Sequence, residues 1–205
     1  MCNFLSVLVL KNGDVRHHPM LDSHSDLIAY FNLPDTSAYH QHFAKAELTP
    51  VDWLDASTWK WRIDEETRPG WLDDVEGRAE KATRAIAQRM VITDGVTPPR
   101  LIVEGCWIVG GRSVVRDVRS GRIMCVQDSA TVRDVGGSAT VQNVGDSATV
   151  QDVGGSATVR DVWGSATVQD VWGSATVRDV WGSATVQDVG DSATLDASAK
   201  AHLVK

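Results

Sequence analysis

From Ser129 onward the apolar and polar positions repeat with a period of nine. The units read SATVRDVGG, SATVQNVGD, SATVQDVGG, SATVRDVWG, SATVQDVWG, SATVRDVWG, SATVQDVGD and a decayed SATLDASAK, eight units over 72 residues without an insertion. Within each unit Ser-Ala-Thr-Val alternates, which sends Ala and the first Val to one face of a strand and Ser and Thr to the other. Glycine, the β-branched Val and Thr, and a period that is neither seven nor eleven exclude a helix. The chain must turn at Asp-Val-Trp/Gly-Gly, after which the second valine (Val135, Val144, Val153) points back inside. No unit buries its own apolar face, so the units are expected to stack as a parallel β-solenoid of the β-helix or β-roll kind. Upstream, Arg112–Ser120 fits the frame loosely and Gly121–Asp128 is one residue short, which places the start of the periodic region near Leu101.

Coil size follows from the fifth position, which alternates Arg160, Gln169, Arg178, Gln187 in the last regular units. Two units per 18-residue coil stack like on like; three units per triangular coil is the alternative. With two per coil, Trp163 and Trp181 stack on one edge and Trp172 lies on the opposite one.

The first hundred residues lack this period and carry a mixed pattern. Asn3–Leu10 has strand character, and Asn12-Gly13 is a hairpin turn into Val15–His18. Ser23 with Asp26 resembles a capping box for a short helix through Phe31. His42–Leu48 and Thr58–Asp64 are expected strands. From Trp71 to about Met90 the apolar residues Leu72, Val75, Ala79, Ala82, Ile86 and Met90 fall at helical steps. The expected organisation is an α+β capping domain over residues 1–100 and a solenoid over 101–205, its regular units at 129–200. A solenoid needs such a cap because an open coil end is an unpaired sheet edge.

Composition narrows the classes. Charged residues make up 23% and apolar residues 42%, the balance of a folded globular chain. No apolar run approaches the ~18 residues of a membrane helix, and Phe4–Leu10 lacks the basic lead-in of a secretory signal. Three scattered cysteines (Cys2, Cys106, Cys125) point to a reducing, cytoplasmic setting rather than a disulfide framework. A net charge of −7 disfavours direct binding to nucleic acid. The regular units are acidic, with four basic and nine acidic groups in 129–200, while Arg112, Arg116, Arg119 and Arg122 form a basic collar.

Several residues carry candidate chemistry. Cys2, once the initiator Met is removed, holds a thiol and an α-amine, the equipment of an N-terminal nucleophile. His24 is its candidate base, with Asp22 or Asp26 to orient it. Against this, Cys2 also suits the buried start of a strand. The pairs His17-His18 and His40-x-His42 lack the further ligands a metal needs, so no metal and no cofactor are expected. The stacked acidic sixth position (Asp134, Asn143, Asp152, Asp161, Asp170, Asp179, Asp188) suggests calcium, but the GGxGxD frame of calcium β-rolls is missing. Regular Ser and Thr rows suggest ice binding, which Arg160 and Arg178 beside the rows oppose. An acidic rod also suggests DNA mimicry, at modest charge density. Trp163, Trp172 and Trp181 either lie along the corners and cover the solenoid edge or, with Arg160 and Arg178, form a contact surface, and their confinement to three successive units tips toward the surface.

The segments MCNFLS, DSHSDLI, WKWRIDEE, RPGWLD, RMVITDG and GCWIVGG, in that order, resemble a group of uncharacterised phage and bacterial proteins. Those carry a similar α+β head followed by nonapeptide arrays. The resemblance implies the same two-part fold and a mobile-element origin, and it brings no catalytic residues. The expected function is that of a non-enzymatic phage or prophage accessory factor whose solenoid meets a protein partner, with a homodimer through the solenoid end or the tryptophans. An enzyme using Cys2 is the competing class.

Overall fold

The computed structural model describes residues 5–34, 42–190, 192–197 and 202–204. The chain divides into two compact units, residues 1–90 and 91–205. In the first, β1 (Leu5–Leu10), β2 (Val15–Arg16), β3 (Phe43–Thr49) and β4 (Lys60–Ile63) form an antiparallel sheet in the order β2-β1-β3-β4. Gly13, at φ +81°, makes the β1–β2 turn, where its N–H donates to the Leu10 carbonyl at 2.8 Å. Helix α1 (His24–Tyr30) starts at Ser23, whose side chain accepts from the Asp26 N–H, as the capping pattern predicts. Leu27 and Ile28 of α1 pack with Leu8 and Phe43 in one buried cluster.

Helix α2 (Glu76–Met90) begins later than Trp71, because Leu72–Asp74 closes first as a 3-10 turn. Its buried row is Ala79, Thr83, Ala87 and Met90, continuing from Val75; Ala82 lies exposed and Ile86 only half-buried. Leu72, Val75, Ala79 and Met90 are thus buried as expected, and only in the middle turns does the row pass through Thr83 and Ala87 in place of Ala82 and Ile86. Thr83 serves as an inward residue because its hydroxyl donates to the Ala79 carbonyl at 2.9 Å, leaving its methyl for the core.

The second unit is a parallel β-solenoid of about six turns. Its strands are β5 (Val91–Ile92), β6 (Cys106–Val109), β7 (Val114–Val118), β8 (Arg122–Val126), β9 (Thr131–Val135), β10 (Thr140–Val144), β11 (Thr149–Val150), β12 (Thr158–Val159), β13 (Thr167–Val168), β14 (Thr176–Val180), β15 (Thr185–Gln187), β16 (Thr194–Ala197) and β17 (His202–Val204). From β6 onward they alternate between two sheets, β16-β14-β12-β10-β8-β6-β5 and β17-β15-β13-β11-β9-β7. Parallel pairing thus reaches back to Val91, ahead of the periodic sequence.

Register sets the coil. Thr140 pairs with Thr158 and Thr158 with Thr176 on one sheet, Thr149 with Thr167 and Thr167 with Thr185 on the other. Each step is two units, so the coil has two faces and the triangular alternative is excluded. The inner columns are the alanine and both valines of the regular units up to Val186: Ala157, Val159 and Val162 have no exposed surface, nor do Ala166, Val168 and Val171, whereas Val189 is exposed. The regular coils therefore each add six small apolar side chains to one continuous core, which begins on Ile92, Ile102 and Ile123 of the first coils. From Asp128 to Gly173 the corners are tight turns whose first central residue has positive φ. At Gly137 (φ +59°) a Cβ would fall 2.2 Å from the Arg119 carbonyl oxygen one coil below, so space demands glycine at a corner whose backbone Asp128 and Asp146 also adopt elsewhere.

Candidate functional site

The solenoid edges carry the tryptophans. The backbone N–H of Trp163 donates to Val144, that of Trp172 to Val153 and that of Trp181 to Val162, tying each corner to the coil beneath. The ring of Trp163 lies over Gly145, where a Cβ would stand 2.3 Å from its Cζ2, and Trp172 lies over Gly154 in the same way. Trp181 then stacks on Trp163 with centroids 6.1 Å apart and planes 23° from parallel. The eighth position is therefore a column code: a glycine provides the bed on which the first tryptophan lies. Trp163 and Trp181 follow strands of one sheet and Trp172 a strand of the other, so the three residues divide between opposite edges. Trp163 is half-buried, while Trp172 and Trp181 are each 49% exposed. Arg160 and Arg178, both exposed, occupy successive rungs of the sheet whose strands lead into Trp163 and Trp181.

The acidic positions have local backbone roles. Asp170, Asp179 and Asp188 adopt left-handed conformations (φ 35°, 48° and 45°), which Asp tolerates better than most residues. Their carbonyl oxygens accept from Val153, Val162 and Val171. At the ninth position the Asp146 carboxylate accepts from the Asp128 N–H at 3.2 Å, and that of Asp128 from the Gly111 N–H at 2.8 Å. Cys106 and Cys125 are both buried. Burial pushes the Cys125 thiol up to about 12, with the Asp146 and Asp128 charges adding to the shift.

In the first unit the sheet register gathers a polar cluster. Ser6 pairs with Glu47 and Glu47 with Arg62, which puts these three on one sheet face, and Asp64 follows two residues after Arg62. His24, at the start of α1, lies against this group. Its Nε2 is 3.0 Å from the Ala46 carbonyl oxygen and its Nδ1 is 3.4 Å from Asp64 Oδ2. The carboxylate at the ring is thus Asp64, distant in sequence, where proximity along the chain pointed to Asp22 or Asp26. Glu47 is only 1% exposed and accepts from Arg62 at 2.9 Å; the same guanidinium reaches Asp64 Oδ1 at 3.0 Å. A carbonyl oxygen only accepts, so Nε2 carries the ring proton and is engaged. In this arrangement Nε2 is not poised as a general base.

Cys2 and His40 lie outside the described residues. His18 accepts from the Met20 N–H through Nδ1 and packs on Tyr30 at 4.5 Å, a structural role, and His42 is exposed. Burial lowers the pKa of His17. The convergence of His24, Glu47 and Asp64 was missed from sequence because the three stand on separate elements; the antiparallel pairing of β3 and β4 is the signal that joins two of them. Among the described residues no helix is long and apolar enough to cross a membrane. No family model, curated protein or solved structure matches the chain.

Proposed function

We propose that this is a non-enzymatic binding protein, an accessory factor of phage or prophage origin, whose solenoid edge docks a protein partner in the bacterial cytoplasm. The observation that carries the reading is the Trp181 ring, half exposed and held flat by Trp163 on a glycine bed. Its orientation is paid for during folding, so docking immobilises little that is not already ordered. Exposed tryptophan and arginine are the residues that dominate interface energies. Arg160 and Arg178 beside the stack suit a partner with an apolar recess flanked by carboxylates. Affinity purification from the native host tests this, with wild type, Trp181→Ala and Arg178→Ala compared by quantitative mass spectrometry. A stoichiometric protein held by wild type and lost at least tenfold from Trp181→Ala supports the reading. Equal recovery with all three baits overturns it. Light scattering identifies the case in which the partner is a second copy: wild type then shows twice the chain mass and Trp181→Ala the single mass.

A further inference from the structure

We infer that His24, Glu47 and Asp64 form a binding site for a divalent transition-metal ion. One ligand atom from each lies within 4.8 Å of the other two. Four bonds of about 2.1 Å arranged tetrahedrally require ligand atoms about 3.4 Å apart, and the His24 Nδ1–Asp64 Oδ2 separation is 3.4 Å.

Second, the imidazole is prepared for the task. Metal-bound histidine commonly donates its other ring N–H to a carbonyl or carboxylate, which fixes the tautomer and the ring plane. Here Nε2–H donates to the Ala46 carbonyl, and Nδ1 is the ring nitrogen on the Asp64 side, 3.4 Å from Oδ2. Third, the charges balance: two carboxylates and a neutral imidazole match a dication. Glu47, 1% exposed, needs a countercharge, and Arg62 supplies it from a side chain that is 58% exposed. An exposed arginine can withdraw into solvent when an ion replaces it. One nitrogen and two oxygens favour Zn²⁺, Mn²⁺ or Fe²⁺, and the three protein ligands leave at least one position for water or a small anion.

The role of Arg62 makes the assignment testable. If it stands in for the ion, its removal strengthens binding; if it only completes a structural ion network, removal weakens the fold and binds nothing. The full-length protein is stripped with chelator and titrated with Zn²⁺ and Mn²⁺ by calorimetry, with Co²⁺ absorption as a spectroscopic probe. Wild type is expected to bind one ion saturably. Arg62→Met should bind at least fivefold more tightly, and Glu47→Gln and Asp64→Asn at least tenfold more weakly. Asp64 is part-exposed, so Asp64→Asn keeps the fold where Glu47→Gln fails to, and circular dichroism reports which variants are folded. Absence of saturable binding by both wild type and Arg62→Met overturns the site. Binding that survives unchanged in folded Asp64→Asn places the ion elsewhere and overturns it equally.

Discussion

The inner valine columns predict a sharp asymmetry along one strand. Val159 has no exposed surface and pairs with Val141 below and Val177 above, while the neighbouring Thr158 points outward and is half-buried. Val159→Ala removes two methyl groups, worth about 0.8 kcal/mol each in transfer from water. The walls are continuous strands that cannot collapse inward, so a void of roughly 50 Å³ remains and adds about 1 kcal/mol. The expected loss is about 2–3 kcal/mol. Thr158→Ala leaves the core untouched and should change stability by no more than about 0.5 kcal/mol. Urea unfolding followed by far-ultraviolet circular dichroism at 25 °C measures both, each variant referred to the wild-type midpoint and slope. A loss for Thr158→Ala equal to or greater than that for Val159→Ala would refute the inward assignment of the valines, and with it the two-faced coil.

Two further outcomes follow from single residues. Gly137→Ala should cost more than about 1 kcal/mol, because φ is +59° and the new methyl meets the Arg119 carbonyl; Gly95→Ala, also at positive φ (+85°) but with open space around it, should cost less. The same urea titration compares them, and equal costs would show that the close approach between coils is not a constraint. The Cys125 thiol, raised to about 12, stays protonated in the folded protein where an unfolded thiol ionises from about pH 8.5. Its contribution is therefore complete below about pH 8.5 and is lost as pH climbs toward 12, and Cys125→Ala should flatten that part of the stability profile. Alkylation at pH 8 with peptide mapping should label Cys125 slowly in folded protein and fast in urea, and a fast folded rate would contradict its burial.

The solenoid was legible in the sequence because its information is one-dimensional. A strict period of nine, with Ala and two Val at fixed places, specifies strand, turn and inward face within every unit, and identical units have only each other to pair with. The alternation of Arg160, Gln169, Arg178 and Gln187 even carried the coil size, so the split of Trp163 and Trp181 from Trp172 was foreseeable. What the letters did not show was why tryptophan is confined to a few units. Trp163 and Trp172 lie over a glycine 18 residues earlier and Trp181 stacks on Trp163, contacts that exist only once coils are stacked. The head behaves differently. Its strands, hairpin and capped helix are local and could be read, but the buried row of α2 turned on Thr83 hiding its hydroxyl in a backbone bond, which makes a polar letter behave as an apolar one. The His24–Glu47–Asp64 cluster was beyond sequence reasoning altogether. Neighbouring Asp22 and Asp26 competed for the same histidine, and only the antiparallel register of β1, β3 and β4, settled by long-range packing, brings a buried glutamate and a distant aspartate to one face.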